Sequence, residues 1–458
     1  MNEASNFCNG PCYEDQRAQA QIKHKLPYVP TARDLEVKSI ALDATHANGA
    51  QQFDAHSLIG TQEVKATHDW FLENQMRPMI IERSSFAGMG KFASRWLGDN
   101  FSDEAYMGFS VVGIMAHNLI GVPLAGSDIC GFIGPTNAEL CARWHMVGAF
   151  YPFSRNHNDR DSPSQEPWLF KSPYTASVSY FDVMKAAIKT KYRMIRYYYT
   201  ELSMLAAEGG AFYKPLFFEF PADAKAYDNL QHNVMLGAAL KLAILSDQLG
   251  AETADFYFPA GTWCDVVKGG LGTATCVAYA EGQTVTLAAR AYDFHLHLRA
   301  GYIVPMQDTS SLDFKTSADL QAKPVDLHMH ASCTDTCTAQ GRYLNDDGVT
   351  VDLDGKQNII TMALTGAPSA DIQIAFEQTA SASSMEDSKV NENDVIGDIF
   401  LYNAKALGLD AKHTVTATIG EEQKVVGEAD YDETNDKLVL KAAGVLMPSV
   451  STLVFSKA

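Results

Sequence analysis

Residues 121–128 read GVPLAGSD: a short apolar run, Val122 to Ala125, breaks at glycine and delivers an aspartate, Asp128, just past its end. The same pattern recurs three times nearby. Met79-Ile80-Ile81 is followed by Arg83, Arg95-Trp96-Leu97-Gly98 closes on Asp99, and the run from Phe150 to Phe153 leads to His157. Helical stretches separate these runs: Val64–Asn74, a helix rich in small residues over 103–118, another over 137–150, and a long one over about 175–207. Thr136 and Glu139 have capping-box spacing at the start of the third. Strands alternating with helices favour a parallel sheet with crossover helices, closed as a barrel or open and doubly wound. In a parallel barrel, successive strand ends meet at one mouth, where chemistry is carried out. Arg83, Asp99, Asp128 and His157 are therefore expected to converge.

Each of these residues has a plainer reading when taken singly. An aspartate after glycine is commonly a turn residue or a helix cap. Arg83 before Ser84-Ser85 could be a loop cation, His157 between two asparagines a satisfied turn histidine, and Trp96 and Phe132 simply core. Taken together they offer two carboxylates, a guanidinium and an imidazole beside aromatic rings. Arginine and histidine recognise hydroxyls through directional hydrogen bonds. A carboxylic acid near aromatics suits protonation of a glycosidic oxygen. Phe86-Ala87-Gly88-Met89-Gly90 lacks the strand–loop–helix setting of a phosphate loop, and no zinc-type histidine pair is present, so neither cofactor nor metal is expected.

After Lys214-Pro215-Leu216-Phe217-Phe218 the pattern changes. From about 250 the chain is rich in Thr, Val, Gly and Asp, with short alternating runs such as Thr284–Leu287 and His295–Leu298, the mark of antiparallel strands in β-sandwiches. A polar break near 308–325 divides two such modules. At 458 residues and 46% apolar the chain can bury more than one core. The expected division is 1–225, 226–310 and 311–458. A net charge of −19 argues against nucleic acid or anionic lipid as a partner. No apolar run reaches the roughly 18 residues a membrane span needs. The eight cysteines form close couples, Cys8/Cys12, Cys130/Cys141, Cys264/Cys276 and Cys333/Cys337, as sequential disulfides in an oxidising compartment do. Met1-Asn2-Glu3-Ala4-Ser5 has no features of a signal peptide, so secreted-type cysteines without a leader suggest that the chain lacks its true N-terminus.

Several longer stretches carry a resemblance. They are Met1–Cys8 (MNEASNFC), Arg77–Gly90 (RPMIIERSSFAGMG), Arg95–Asn100 (RWLGDN), Gly121–Phe132 (GVPLAGSDICGF) with Glu139–Trp144 (ELCARW), and Gly148–Asn158 (GAFYPFSRNHN) with Glu166-Pro167-Trp168. In this order they resemble retaining α-glucosidases of glycoside hydrolase family 31, clearly over about 1–310 and more thinly beyond, where Tyr343–Gly348 (YLNDDG) still fits. The resemblance implies an α/β fold: the C-terminal half of a (β/α)8 TIM barrel followed by two all-β sandwich domains. It implies that Asp99 is the general acid/base and that Arg83 and His157 hydrogen-bond the sugar. Trp96, Phe132 and Met1 become pocket walls, Asp128 lines the pocket, and Cys130–Cys141 ties a loop to the following helix. The cysteines and Arg155–Asn158 look more like the secreted or lysosomal maltase branch than the endoplasmic-reticulum branch.

The family's nucleophilic aspartate would precede Met1, so the chain is expected to lack it, to need the N-terminal half of the barrel as its partner, and to be inactive alone. Glu3 matches a supporting position. The implied substrate is an α-glucoside or malto-oligosaccharide. The alternatives are an inactive carbohydrate-binding relative, an α-xylosidase or an α-glucan lyase on the same framework. Departures from the family pattern include Glu82, Glu104, Lys214 and Ser246-Asp247-Gln248. The sequon Asn100-Phe101-Ser102 abuts Asp99, where a glycan would block the pocket, so it is expected to be unmodified.

Overall fold

A computed structural model describes residues 4–14, 35–269, 276–311, 314–353, 357–380 and 393–457 of the chain. Met1 and Glu3 lie outside the described residues.

The first unit is built on short parallel strands. Strands β1 (Ile81–Glu82), β2 (Ser94–Trp96) and β3 (Ala125–Gly126) run side by side, with Ile81 opposite Ser94 and Arg95 opposite Ala125. After Ser127 the path resumes as β4 (Asp128–Ile129), which pairs in parallel with β5 (Arg155–Asn156). Four helices accompany them: α1 (Ile59–Glu73), α2 (Glu104–Leu119), α3 (Ala138–Gly148) and α4 (Tyr180–Glu208).

The ladders start later than the apolar runs suggest. Val122 to Leu124 lie outside any ladder, and Phe150 to Phe153 form turns instead of a strand. The N–H groups of Phe150 and Tyr151 still point back to Val147 and Gly148, and Pro152 has no N–H to offer, so only Phe153 reaches the Ala125 carbonyl before the ladder begins at Arg155. Gly126 is required here, because a Cβ would stand 2.0 Å from the Phe153 carbonyl oxygen. Local chemistry also moves two helix starts. Asn137, not Thr136, caps α3 by accepting from the Leu140 N–H. The long helix begins at Tyr180, where Ser179 and Asp182 form a reciprocal capping box. Fully buried Met107, Val111, Trp144, Phe150 and Tyr151 fill the space between helices and strands. Each such side chain contributes about 1.5–3 kcal/mol relative to exposure.

The second unit is antiparallel. Six strands lie in the order β11 (Cys276–Tyr279), β10 (Gly261–Gly269), β13 (Phe294–Arg299), β8 (Leu240–Ala243), β7 (Asn233–Leu236) and β6 (Tyr213–Pro215). In a separate ladder of β9 (Thr253–Phe258) and β12 (Gln283–Ala288), Phe256 and Phe258 of β9 share a core with Trp263 of β10.

Hydrogen bonding crosses both places where a division is expected. Tyr213–Pro215, ahead of 225, pairs with β7, and β14 (Tyr302–Met306), ahead of 310, belongs to the third unit.

That third unit, expected as a sandwich, is one continuous circuit. From β14 the ladder passes through β15 (Val325–His330), β20 (Val395–Tyr402), β23 (Lys437–Leu440), β22 (Glu422–Asp432), β21 (His413–Ile419), β25 (Val450–Lys457), β19 (Ile372–Ala380), β18 (Gln357–Gly366) and β17 (Cys337–Asp346), with the two-residue β16 (Ser332–Cys333) beside β17 and β24 (Val445–Leu446) beside β20. A parallel contact of Tyr302 with Gln340 returns it to β14. Gly341 permits this closure, since a Cβ there would lie 2.4 Å from the Ile303 carbonyl oxygen. Closure leaves a single core, into which alternate residues such as Ile360, Met362 and Leu364 point.

Polar links lock this unit to α4: Arg342 meets Glu201 at 3.0 Å and Arg196 donates to Asn345 at 2.7 Å. All four expected cysteine couples are disulfides. No helix among the described residues is long and apolar enough to cross a membrane.

Candidate active site

The parallel strands bring Arg83, Trp96, Asp99, Asp128, Phe132 and His157 into one connected cluster. Arg83, just past β1, places Nη1 at 3.2 Å from Asp99 Oδ1. Both stay accessible, with side-chain exposures of 46% and 33%. The Arg83 guanidinium also lies 5.2 Å from the centre of the Trp96 ring, which closes β2. Trp96 meets Phe132 edge-on at 6.5 Å, and Phe132 lies 4.9 Å from the imidazole of His157. An accessible carboxylate beside a cation thus faces a wall of two aromatic rings, with an exposed histidine at the far end.

Asp128 behaves differently from its sequence expectation. Its side chain is fully buried, so it does not line an open pocket. It accepts from Trp96 Nε1 at 2.9 Å and from Arg155 Nε and Nη2 at 3.1 and 2.7 Å. Burial raises its pKa above the usual carboxylate value, opposed by its bonds to Arg155 and Trp96 and by the nearby His157. Asp128 therefore orients the wall. It fixes the indole by its N–H and holds the Arg155 guanidinium 5.0 Å from the centre of the Trp96 ring.

Arg155 was not singled out from the sequence. Its signal is the strand register: Asp128 and Arg155 are directly opposed across β4 and β5. Asn100 was also missed as a structural residue. Its Nδ2 donates to Ser127 Oγ at 2.7 Å and to the Asp128 carbonyl at 3.0 Å, while Oδ1 accepts from the Phe132 N–H. It therefore sets the loop bearing Asp99 against the loop bearing Phe132, and its buried amide is unavailable to a glycan. Gln165 does similar work, donating to the carbonyls of Ile129, Gly131 and His157, and nothing in its sequence context announces this. Gly131, at φ +88°, lets that loop cross Ser102, whose Cα would be 2.3 Å from an added Cβ. The Cys130–Cys141 disulfide then ties the loop to α3. His145 beside it is neutral, its pKa lowered by burial to about 4.

Two Cys2His groupings, Cys130/Cys141/His145 and Cys264/Cys276/His330, are compact enough for a metal, but their sulfurs are joined to each other as disulfides.

Comparison with known proteins bears on the family and the fold. Residues 1–201 match the glycosyl hydrolases family 31 TIM-barrel domain, and residues 209–304 match the glycosyl hydrolase family 31 C-terminal domain. Lysosomal alpha-glucosidase of Bos taurus is 36% identical over 361 residues, covering 76% of this chain and 36% of the relative. A probable alpha-glucosidase of Oryza sativa subsp. japonica is 32% identical over 359 residues, covering 78% and 38%. The chain therefore spans little more than a third of the length of these relatives. Among solved structures, the glucosidase II alpha subunit superposes with a TM-score of 0.78 at 22% identity, covering 92% of this chain and 44% of that one, a likeness of fold. With both of its family domains recognised over most of the first 304 residues, the chain is a member of glycosyl hydrolase family 31.

Proposed function

We propose that the cluster is the acid/base side of a retaining α-glucosidase site, acting on terminal α-linked glucose of oligosaccharides. The observation that carries this reading is the accessible Asp99 carboxylate held 3.2 Å from Arg83, at the edge of a wall formed by Trp96 and Phe132. Asp99 gives its proton to the glycosidic oxygen as the bond to the anomeric carbon breaks. It then takes a proton from the water that releases the sugar. Arg83 and His157 direct hydrogen bonds to the sugar hydroxyls, and the rings of Trp96 and Phe132 cover its apolar face. Retention needs a second carboxylate about 5–5.5 Å from the first. Of the two carboxylates in the cluster only Asp99 is accessible, Asp128 being committed to Trp96 and Arg155. The nucleophile is therefore assigned to the part of the barrel outside the described residues, and turnover to the assembled barrel. The four disulfides support a secreted or lysosomal location.

The test is binding followed by turnover. A glucose-configured iminosugar should bind, with Arg83→Ala and His157→Ala each weakening it about tenfold or more. In the assembled barrel, Asp99→Asn should abolish release of glucose from maltose. Iminosugar affinity indifferent to both binding-site changes would overturn the reading. A second reading, a carbohydrate-binding protein without turnover, draws on the single accessible carboxylate. It predicts binding with no glucose release even when the complementary barrel half is supplied.

A further inference from the structure

Two of the disulfides have a histidine against them, and the two imidazoles are turned in opposite senses. At Cys130–Cys141, His145 approaches with Nδ1, 3.5 and 3.7 Å from the two sulfurs, and the same nitrogen lies 2.8 Å from the Cys141 carbonyl oxygen. A carbonyl only accepts, so this nitrogen carries the ring proton and has no lone pair to offer the sulfurs. At Cys264–Cys276 the arrangement is reversed. His330 donates from Nδ1 to the Leu298 carbonyl at 3.1 Å, which leaves the lone pair on Nε2, and Nε2 faces Cys264 Sγ at 3.5 Å. His330 and Cys264 are fully buried. A disulfide sulfur has no hydrogen to give, so among the described residues this nitrogen has no donor, a state that buried acceptors rarely keep. A thiol proton or a metal ion between nitrogen and sulfur would satisfy it.

The spacing suits a metal. The three ligand atoms of Cys264, Cys276 and His330 lie within 4.8 Å of one another. Zinc–sulfur and zinc–nitrogen bonds of about 2.3 and 2.0–2.1 Å, set at the tetrahedral angle, hold sulfur and nitrogen about 3.5 Å apart, matching the separation of Cys264 Sγ and His330 Nε2. A ligating imidazole characteristically gives its other N–H to a carbonyl, as His330 does to Leu298. The cysteines oppose each other on β10 and β11, and β11 is the outer strand of its sheet, so Cys276 is the half-exposed end of the pair.

We propose that Cys264, Cys276 and His330 form a zinc site unmasked when a dithiol reduces the Cys264–Cys276 bond. One sulfur of the dithiol attacks Cys276 and Cys264 leaves as thiolate; the second sulfur then displaces Cys276 as the dithiol closes to its own cyclic disulfide. Zinc displaces the two thiol protons, takes both Sγ atoms and Nε2 of His330, and keeps water in its fourth position. The disulfide joins only β10 to β11, whereas the metal also grips β15. Reduction thus exchanges a tie inside the second unit for one between the second and third units. The site lies outside the sugar cluster and stands whether or not the chain turns over glucosides.

The native chain, reduced anaerobically with dithiothreitol, freed of reductant and titrated with Co2+ as the probe, tests this. One cobalt should bind with thiolate-to-metal charge-transfer absorption and the visible bands of a tetrahedral ion, and zinc should displace it; the unreduced chain should show neither. X-ray absorption of the zinc form should find two sulfurs at about 2.3 Å and an imidazole nitrogen at about 2.0–2.1 Å. His330→Ala should weaken cobalt binding about tenfold or more, with circular dichroism of the unreduced variant checking its fold. If that variant does not fold, the X-ray absorption of the parent decides. The site is overturned if cobalt binds without the sulfur bands, if the zinc shell holds no imidazole, or if folded His330→Ala binds as tightly as the parent. It is likewise overturned if Cys264–Cys276 stays closed in the folded chain under excess dithiol.

Discussion

Arg155→Met is the most informative change to the site because it leaves Asp128 buried with its charge uncompensated. Asp128 is fully buried, and Arg155 supplies two of its three side-chain hydrogen bonds, at 3.1 and 2.7 Å. Breaking a buried pair from one side typically costs about 3–5 kcal/mol. Arg155 is 35% exposed, so solvent already screens part of the pair, and about 2–3 kcal/mol is expected at pH 7. For a unit of this size that corresponds to a fall of roughly 5–10 °C in melting temperature. Asp128→Asn should cost less, about 1–2 kcal/mol, because Arg155 can turn to water and the Trp96 N–H can still donate to the amide oxygen.

The loss should also depend on pH, with a determined sign. Burial holds the Asp128 carboxyl above its unfolded value, and removing Arg155 raises it further. The folded variant therefore binds its proton more tightly than the unfolded chain, so its deficit shrinks as pH falls and grows as pH rises through the folded pKa. Going from pH 7 to pH 5 should therefore recover part of the loss. Thermal melts followed by circular dichroism at both pH values measure this. Arg160→Met is the control, since Arg160 and its partner Asp161 are both well exposed and the change should stay within about 0.5 kcal/mol. A melt no lower for Arg155→Met than for the control, or equally lowered at both pH values, would refute the reasoning.

Other expectations follow from the same packing. Glycopeptide mass spectrometry after secretory expression should find Asn100 unmodified, and Asn100→Ala should lower stability by about 2 kcal/mol, since it strands the buried Ser127, Asp128 and Phe132 backbone and hydroxyl partners. Removing Cys130 and Cys141 together as alanines should cost about 2–4 kcal/mol in non-reducing melts, and dithiothreitol should reduce the exposed Cys8–Cys12 pair before this buried one. Arg77→Ala should loosen the third unit from the first. Arg77 donates to the Thr350 carbonyl at 2.6 Å and to Tyr199 at 2.8 Å, and pairs with the nearly fully buried Asp346 at 3.2 Å. A loss of about 2–3 kcal/mol and new proteolytic cleavage near 346–350 are the expected readouts.

The pattern of short apolar runs followed by polar residues was enough to place Arg83, Asp99 and His157 around one cluster. Strand direction and the common mouth follow from right-handed strand–helix–strand connections. The cysteine couples were equally legible, because residues 4 to 12 positions apart close small loops under almost any fold. Composition, by contrast, could not foretell that β14 and β17 would meet and turn an expected sandwich into a closed circuit. That outcome hangs on one glycine, Gly341, giving room to the Ile303 carbonyl.

By itself, then, the sequence determined which residue types reach the mouth, since periodicity and turn chemistry act over a few residues. The tertiary structure alone decided which of the two carboxylates is free. Asp99 and Asp128 follow apolar runs of the same kind, yet one faces solvent beside Arg83 while the other is sealed beneath Trp96 and Arg155. The difference comes from burial and from partners distant in the chain, whose fields and hydrogen bonds are set only when the strands pair.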